Sequence, residues 1–414
     1  MKKDPQSIVI GAGIVGICTA LYLQEQGRQV TLIDRLSPGE GTSSGNAGII
    51  SVGSVHPEAM PGIWKEIPHM LLQRRAPIIV RPAYLPHILP WFYHFLSSSS
   101  SDRAEQSSIA INALCSRALD YLEPLVEKAG AQALLRQEGS LYIYETEAQF
   151  AKAKLNCVYY DRRGVDYQIV GGPELTVLEP SLRPGLAGGV LLPAGANTVS
   201  PLALSRSLFT LFQKQGGRFI QAEVRGFTSQ GKSVSAVHTD RELACQEVFV
   251  TAGSYSRTLA KQLGSSVRLD TERGYNLQLP SPGIELTRPL LFAGRAFAAT
   301  SMLDGLRLAG TVEFAGLKAP PNYARARMLA EQAAYLLPQL NVKGSEPWMG
   351  FRPSLPDTVP VISASPNFDN VFFGFGHGHL GLTQAAVTGA MLSALATGDD
   401  FPVSMSQFRI DRPL

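Results

Sequence analysis

The sequence predicts an α/β (or α+β) protein in which a Rossmann-like nucleotide-binding domain is interrupted by an inserted domain with a mixed or antiparallel sheet. Two observations support this prediction. A strand–turn–helix–strand unit begins at residue 7, and a second strand, glycine-rich turn and helix begin at residue 371. Many short β segments lie between them, without an internal repeat or a long linker. Features of a nucleotide site therefore occur at both ends of the chain, which indicates one discontinuous domain.

The individual elements are predicted from hydrophobic periodicity and from the glycines and prolines that bound each segment. Strands are predicted at residues 7–10, 29–33, 140–144, 247–251 and 371–375, with several more within residues 271–312. Helices are predicted from the first glycine turn to Gln26 and at residues 107–130, 201–215, 324–337 and about 382–395. The five-serine run at residues 97–101 predicts a solvated loop.

The composition is that of a chain with a large buried core. Of the 414 residues, 45% are hydrophobic and 17% are charged, and the net charge of +3 is too small to indicate a nucleic-acid partner. The four cysteines form no CxxC pair, which suggests neither a zinc ribbon nor a disulfide framework and fits a reducing compartment. We therefore expect a cytoplasmic protein.

The first glycine-rich turn, GAGIVG, is the strongest functional signal. Gly11 permits the tight turn, Gly13 lets the backbone approach a pyrophosphate, and Gly16 allows the helix to pack closely on the strand. The beginning of the helix offers free N–H groups to phosphates. Asp34, at the end of the next strand, can accept hydrogen bonds from ribose hydroxyls and disfavours a 2′-phosphate. The unit therefore predicts a site for FAD or NAD rather than for NADP.

Two further segments favour a flavin over a nicotinamide. The loop at residues 42–48 (TSSGNAG) has small polar side chains that can wrap phosphates and lie flat against a ring. Near the other end of the chain, residues 373–383 (FGFGHGHLGLT) join a buried strand to a helix, and so provide a second helix beginning. Such a helix can stabilise a flavin pyrimidine ring as it gains charge. His377 and His379 lack a neighbouring Cys, Asp or Glu cluster, so we expect no metal site.

The predicted domains are assembled from separated segments. The FAD-binding domain is assigned to residues 1–60, 102–130, 195–262 and 345–414, and the substrate-binding domain to residues 61–101, 131–194 and 263–344. Residues 85–96 (LPHILPWFYHFL) are too short to span a membrane. They predict a core helix, a lid helix or a membrane-surface patch, and the sequence leaves these alternatives open.

The motifs together resemble the D-amino-acid oxidase/dehydrogenase family of flavoproteins, which includes glycine oxidase and sarcosine oxidase, over essentially the whole chain. The resemblance is closest to the bacterial D-amino-acid dehydrogenases. It rests on residues 9–34, 42–48, 248–256 (VFVTAGSYS), 273–277 (RGYNL), 310–314 (GTVEF), 350–362 (GFRPSLPDTVPVI) and 375–389 (FGHGHLGLTQAAVTG). It implies a Rossmann-like FAD domain and a substrate domain with a mixed sheet.

The resemblance also implies a set of residues that hold FAD. These residues are Gly11, Gly13, Ile14, Val15, Gly16, Asp34, Arg35, Ser43, Ser44, Asn46, Ala47, Gly48, Val224, Ala252, Gly253, Gly378, Leu380, Gly381, Leu382 and Thr383.

The resemblance places Arg352 where the family binds the substrate carboxylate, a role that suits a planar guanidinium. A structural surface arginine is the alternative. Phe297 occupies the approximate position of a carboxylate-binding tyrosine found in some oxidases of the family, and His379 that of a second arginine in glycine oxidase. Tyr275 is either a replacement donor or a core tyrosine, and His56 either lines the pocket or is an ordinary loop histidine. The catalytic candidates are Arg352, His379 and Tyr275.

The implied activity is FAD-dependent oxidative deamination of an amino acid, in particular a D-amino acid, by hydride transfer from Cα to flavin N5. The electrons are expected to pass to a quinone or another carrier, and peripheral contact with the inner membrane would suit a quinone acceptor. Two alternatives stay open. The substrate is a secondary amine or cyclic imino acid, such as D-proline, hydroxy-D-proline or an N-alkyl amino acid, or the chain is a flavin-binding subunit of a larger complex.

Overall fold

The structure is a computed structural model that describes residues 6–65 and 76–413. The parts of the predicted domains that fall on residues 1–5, 66–75 and 414 lie outside the described residues. In chain order, the strands are β1 (Gln6–Ile10), β2 (Gln29–Asp34), β3 (Ile49–Ile50), β4 (Ile78–Val80), β5 (Leu135–Arg136), β6 (Ser140–Tyr144), β7 (Gln168–Gly171), β8 (Gly188–Leu192), β9 (Ala196–Thr198), β10 (Arg218–Gln221), β11 (Gly226–Gln230), β12 (Ser233–His238), β13 (Glu242–Ala244), β14 (Glu247–Val250), β15 (Asp270–Leu279), β16 (Leu290–Phe292), β17 (Phe297–Met302), β18 (Gly305–Phe314), β19 (Glu346–Ser354), β20 (Val361–Ala364) and β21 (Val371–Phe375). The α-helices are α1 (Ile14–Glu25), α2 (Leu85–Ser98), α3 (Ser101–Cys115), α4 (Ala118–Lys128), α5 (Glu147–Asn156), α6 (Val158–Arg163), α7 (Gly172–Leu178), α8 (Pro201–Lys214), α9 (Ser256–Gln262), α10 (Ala324–Leu336) and α11 (Gly381–Thr397).

A six-stranded sheet with the order β10-β2-β1-β14-β21-β20 forms the nucleotide-binding part. Its neighbouring strands pair in parallel, except for β20, which pairs antiparallel with β21. The strands are apolar because both faces are covered, one by helices that include α1, α4, α8 and α11, the other by the small sheet β11-β12-β13. The carboxyl ends of β1, β2, β14 and β21 therefore meet at one edge, where parallel sheets bind ligands.

Helices α1 and α11 cross in close contact on this sheet. A Cβ on Gly389 of α11 would lie 2.7 Å from the carbonyl carbon of Cys18 on α1, so only glycine permits this approach. The two helices begin after the glycine turns at opposite ends of the chain. The sequence correctly predicted both helices and the strands before them, which fixes the two helix beginnings at the same edge of the sheet.

A nine-stranded mixed sheet forms the second part, with the order β19-β15-β18-β17-β16-β6-β8-β7 and with β4 paired to β18. The long strands β15, β18 and β19 pair antiparallel, and α10 covers one face of them with an apolar stripe. The other face is turned toward the six-stranded sheet. Strand β19 thus pairs within this sheet, although the sequence assigned residues 345–414 to the FAD-binding domain.

The serine run was predicted incorrectly as a loop. Ser98 is buried at the end of α2, and Ser101 begins α3, so most of residues 97–101 is helical. The hydroxyls of Ser97 and Ser98 donate hydrogen bonds to the carbonyl of His94, at 2.9 and 2.8 Å. Both hydroxyls therefore find their acceptor within the helix and do not need solvent. The predicted helix at residues 107–130 is likewise two helices, α3 and α4.

One helical stretch in the described part of the chain, Gly378–Thr397, is long and apolar enough to cross a membrane, but 78% of an apolar 18-residue window within it is buried inside the protein. Its apolar composition follows from its central position in the core, against α1 and the sheet.

Candidate functional site

A cavity of about 1040 Å³ lies between the two large sheets. Its first wall consists of the carboxyl ends of the parallel strands and the beginnings of α1 and α11. Its second wall consists of β15, β18 and β19, and aromatic side chains of α2 close one side. A single space thus connects the glycine turns with the mixed sheet.

The first glycine turn has the tight geometry that the sequence predicted. Gly11 adopts φ +109°, which favours glycine, and a Cβ there would lie 2.5 Å from the carbonyl oxygen of Thr251. A Cβ on Gly16 would lie 1.8 Å from the carbonyl oxygen of Gly11, so Gly16 is needed for the turn itself. Gly13, by contrast, lines the cavity, and a Cβ there would meet only Ser43 Oγ, at 3.2 Å.

Asp34 is held at the cavity wall by backbone donors. Its Oδ2 accepts the N–H of Ala12 at 2.7 Å, and its Oδ1 accepts the N–H of Leu36 at 2.9 Å. Each carboxylate oxygen keeps a free lone pair, so the group can also accept a ribose hydroxyl. Next to it, the guanidinium of Arg35 lies 3.9 Å from the ring centre of Tyr255. This end of the cavity can therefore hold the adenosine part of a dinucleotide.

The loop at residues 42–48 joins the two walls. Ser43 Oγ accepts the N–H of Ile14, the first residue of α1, at 3.0 Å. From the second wall, the side-chain amide of Asn276 donates to the carbonyl of Gly45 at 2.6 Å, and the ring of Trp348 lies flat against Gly45. The loop therefore connects the beginning of α1 to the mixed sheet.

Most of the predicted FAD-binding residues line the cavity, and the others support its wall. The lining set is Gly11, Gly13, Ile14, Val15, Asp34, Arg35, Ser43, Asn46, Ala47, Val224, Ala252, Gly253, Gly378, Gly381 and Leu382. The supporting set is Gly16, Ser44, Gly48, Leu380 and Thr383. In that set, for example, Thr383 accepts the N–H of Ser51 at 3.0 Å, and Leu380 packs in a small apolar cluster.

Arg352 lies on the face of the mixed sheet that looks into the cavity. It is paired directly with Glu272 of β15, which is in turn paired with Phe314 of β18, so the three side chains form a row on one face. The guanidinium of Arg352 extends over Gly274. A Cβ on Gly274 would lie 2.5 Å from Nε and 2.6 Å from Cζ of Arg352.

Arg352 belongs to a cluster of ionisable groups that the sequence did not reveal. His379 Nδ1 lies 2.9 Å from Glu58 Oε1. Burial raises the pKa of Glu58, but the hydrogen bond and the charge of His379 outweigh burial and lower it below its usual range. Burial likewise lowers the pKa of His379, but its bond to Glu58 raises it overall. Both pKa shifts favour the charged forms of the pair, next to the guanidinium.

Glu272 completes this cluster. Burial and the charge of Glu58 raise its pKa to about 8, so it holds a proton at neutral pH. Neither Glu58 nor Glu272 stands in a recognisable motif. Glu272 enters the cluster through the pairing of β15 with β19, and Glu58 enters it through its loop. The alternating face of β15 is the only signal that could have identified Glu272.

Tyr275 and Phe297 also line the cavity, but their side chains have partners within the protein. The Tyr275 hydroxyl donates to Glu313 Oε2 at 2.5 Å and accepts the N–H of Asn322 at 3.0 Å, so its hydrogen-bonding capacity is used within the protein. Phe297 stacks on Phe292. His56 packs against Tyr159 and Tyr160 outside the cavity.

His377 is buried and hydrogen-bonded to Thr388, at 2.9 Å. The side chain of His377 therefore contacts Thr388, whereas the side chain of His379 pairs with Glu58. Within residues 6–65 and 76–413, no group of three or more His, Cys, Asp or Glu side chains could hold a metal ion.

Comparisons with known proteins agree with this geometry. A family model described as "DAO: FAD dependent oxidoreductase" matches residues 6–395. D-amino-acid oxidase of Bradyrhizobium diazoefficiens is 32% identical over 99% of this chain and 99% of its own. D-amino acid dehydrogenase of Vibrio vulnificus is 31% identical over 95% of this chain and 96% of its own. Glycine oxidase from Geobacillus kaustophilus has the same fold, with a TM-score of 0.74 and 19% identity over 99% of this chain and 100% of its own.

Proposed function

This chain belongs to the DAO family of FAD-dependent oxidoreductases, and we propose that it oxidises D-amino acids to imino acids, which water converts to keto acids and ammonia. The family match confirms the predicted fold class, the enzyme class and the FAD cofactor. The D-configuration is inferred from curated relatives that are named for D-amino acids and that match almost the whole chain.

The residues of the first wall fit FAD. The turn at Gly11 and Gly13 and the beginning of α1 would hold the pyrophosphate, and Asp34 the adenosine ribose. The loop at residues 42–48 and the beginning of α11 would hold the flavin ring. When bound, FAD supplies the hydride acceptor, and the chain supplies position, charge and exclusion of water.

The observation that carries the proposal is Arg352 on the second wall. Its side chain is spread over Gly274 and faces a cavity that is continuous with the FAD-binding residues. A guanidinium binds a carboxylate with two parallel hydrogen bonds and so fixes the orientation of the substrate Cα. His379 lies at the same place, and its bond to Glu58 raises its pKa and so favours the cationic form, which would be a second donor to the carboxylate.

The test is turnover of purified, FAD-loaded protein with an artificial redox dye, using D- and L-enantiomers of alanine, methionine and phenylalanine. We expect turnover of the D-enantiomers only. A preference for L-enantiomers, or for D-proline and sarcosine over every primary amine, would replace the D-amino-acid proposal with another amine oxidation. Activity of the isolated chain with the dye would also exclude a role solely as a subunit of a larger complex.

We further propose that the electrons pass to a quinone or another carrier, with the protein in the cytoplasm and in peripheral contact with the inner membrane. The support is helix α2. Its inner face places Trp91 and Phe95 at the cavity, while its outer face exposes Leu85, Leu89, Tyr93 and Leu96, which lie on one side at helical spacing. An exposed apolar helix face of this kind can lie in a membrane surface.

Co-sedimentation with liposomes of anionic and neutral lipids tests this contact. Leu89 and Tyr93 are 56% and 71% exposed, so their replacement by glutamate should reduce binding and leave dye-linked activity unchanged. Leu155→Glu, at a 77% exposed position on α5, is the matched control. Equal binding of all three proteins, or no binding by the wild type, would contradict the membrane proposal.

A further inference from the structure

The cavity contains a carboxyl group for which the proposed function does not yet account. Glu272 is only 2% exposed. Its carboxyl group forms side-chain hydrogen bonds with Glu58 and Ser354, but its Oε2 accepts no hydrogen bond from the described part of the chain. A buried carboxyl oxygen without a donor costs free energy, and such groups in folded proteins are normally satisfied. When Glu272 is ionised, this oxygen at the cavity wall is therefore free to accept an N–H or O–H from a ligand.

The position of Glu272 beside Arg352 indicates which group of the ligand would donate this hydrogen bond. Directly paired residues on antiparallel strands have Cβ atoms about 4.5–5.5 Å apart, so Glu272 and Arg352 stand side by side on the cavity face. The carboxylate and the ammonium group of an α-amino acid are bonded to the same carbon. A substrate whose carboxylate is bound by Arg352 therefore presents its ammonium group within reach of the neighbouring strand, β15.

We propose that Glu272 is a catalytic residue that binds the ammonium group of the substrate and removes one proton from it. The inference rests on the proposed function and concerns the same site. In this step an N–H bond breaks, its electron pair stays on nitrogen, and a new O–H bond forms on the Glu272 carboxylate. The resulting neutral amine has the lone pair that allows the Cα hydride to leave for FAD.

The groups around Glu272 set its pKa in a range that suits proton transfer from the substrate. Glu58 and His379 face it from the opposite wall, Arg352 and Ser354 from β19, and the apolar Phe314 from β18. Asp270, the next residue on the same face of β15, is occupied by the Tyr84 hydroxyl. Burial and Glu58 raise the pKa of Glu272 to about 8, which makes its carboxylate a far better proton acceptor than an ordinary glutamate.

The Glu58–His379 pair leaves Glu272 as the titrating member of the cluster. Because Glu58 is ionised and paired with His379, its negative charge resists ionisation of Glu272. The carboxylate form of Glu272 then accumulates as the pH rises through about 8. Since only that form can take a proton, kcat/KM of the wild type should rise with pH in the same range.

Two variants test the proposal through the pH profile of kcat/KM for D-alanine with a redox dye. Glu272→Gln keeps the size of the side chain but cannot accept the proton, so we expect at least a 100-fold loss at pH 7. The loss should shrink as the pH approaches the pKa of the substrate's own ammonium group, because free amine then becomes available. Glu58→Gln removes the neighbouring charge and should move the wild-type rise to lower pH.

A ligand without an amine separates this role from a structural one. Propionate has a carboxylate but no amine, so it should bind in the carboxylate subsite alone and perturb the absorbance of bound flavin. Its Kd should be the same in wild type and Glu272→Gln. A variant with wild-type kcat/KM and an unshifted profile would overturn the inference, as would a loss that is equal at all pH values together with weakened propionate binding. Wild-type protein that oxidises no amine would instead overturn the proposed function, and this inference with it.

Discussion

The guanidinium of Arg352 lies across the backbone of Gly274 on the neighbouring strand. Any side chain at position 274 would occupy the same space, since its Cβ would lie 2.5–2.6 Å from Nε, Cζ and Nη2 of the arginine. Gly274 therefore helps to shape the proposed carboxylate subsite, although it contributes no functional group. The guanidinium of Arg352 can take its position in the cavity because residue 274 has no side chain, as well as because of the place of Arg352 in β19.

Gly274→Ala should displace the guanidinium and weaken substrate binding while the fold is kept. We expect KM for the D-amino acid to rise about tenfold or more, which corresponds to ~1.4 kcal/mol. Gly226→Ala is the control, because its Cβ would meet only His238, at an ordinary 3.8 Å. Steady-state kinetics measure KM for both variants. An unchanged KM in Gly274→Ala would show that the position of the Arg352 guanidinium does not affect substrate binding.

Gly13 and Gly16 should respond differently to alanine. At Gly13 the added methyl group meets only Ser43 Oγ, at 3.2 Å, but it narrows the cavity where the pyrophosphate is expected. Gly13→Ala should therefore fold and lose FAD. Gly16→Ala places Cβ 1.8 Å from the Gly11 carbonyl oxygen and should reduce stability as well. Flavin content and thermal unfolding distinguish the two outcomes, and a flavin-replete Gly13→Ala would contradict the assignment of the turn.

Asp34→Ala should weaken FAD binding. The change leaves the N–H groups of Ala12 and Leu36 without their acceptor and removes the group proposed to bind the ribose. Hydrogen bonds to charged groups contribute about 1.5–3 kcal/mol, so we expect the Kd for FAD to rise about 10- to 100-fold. Asp34→Asn retains one acceptor oxygen and should lose less. Quenching of FAD fluorescence on titration measures both, and equal affinities for wild type and Asp34→Ala would refute the role.

His377 should make the fold sensitive to acid. Burial lowers its pKa to about 3, whereas an unfolded histidine has a pKa of about 6.5. Between these values the unfolded chain binds the extra proton, so the free energy of unfolding falls as the pH falls, by up to ~1.4 kcal/mol per pH unit. His377→Gln lacks this proton, and its urea midpoint should decline less between pH 6.5 and 5.0. If the urea midpoints of wild type and His377→Gln decline equally over this pH range, His377 is not a cause of the acid sensitivity.

The parts of the fold that depend on local sequence could be predicted. The first glycine turn, Asp34 and the helix after Gly381 lie where periodicity and glycine spacing placed them, because strand ends and helix beginnings are specified by neighbouring residues. Glu272 and Glu58 could not be found in this way. The pairing of β15 with β19 places Glu272 beside Arg352, and a long loop places Glu58 beside His379. Neither contact is encoded in a short motif.

Polar side chains gave the least reliable predictions for a related reason. A tyrosine hydroxyl or a serine is functional or structural depending on the partners that the fold provides. Tyr275 turned out to be hydrogen-bonded to Glu313, and Ser98 to the carbonyl of His94. In each case the deciding contact comes from packing that the local pattern does not contain.

The most direct test of the whole account is anaerobic reduction of the bound flavin by a D-amino acid in wild-type protein and in Arg352→Ala. Removing one partner of a buried charge pair costs about 2–5 kcal/mol. We therefore expect the variant to retain FAD and its yellow spectrum but to need at least 30-fold more substrate for half-maximal reduction rate. Reduction with an unchanged substrate dependence, or wild-type protein that binds no flavin, would contradict the convergence of FAD and Arg352 on one cavity.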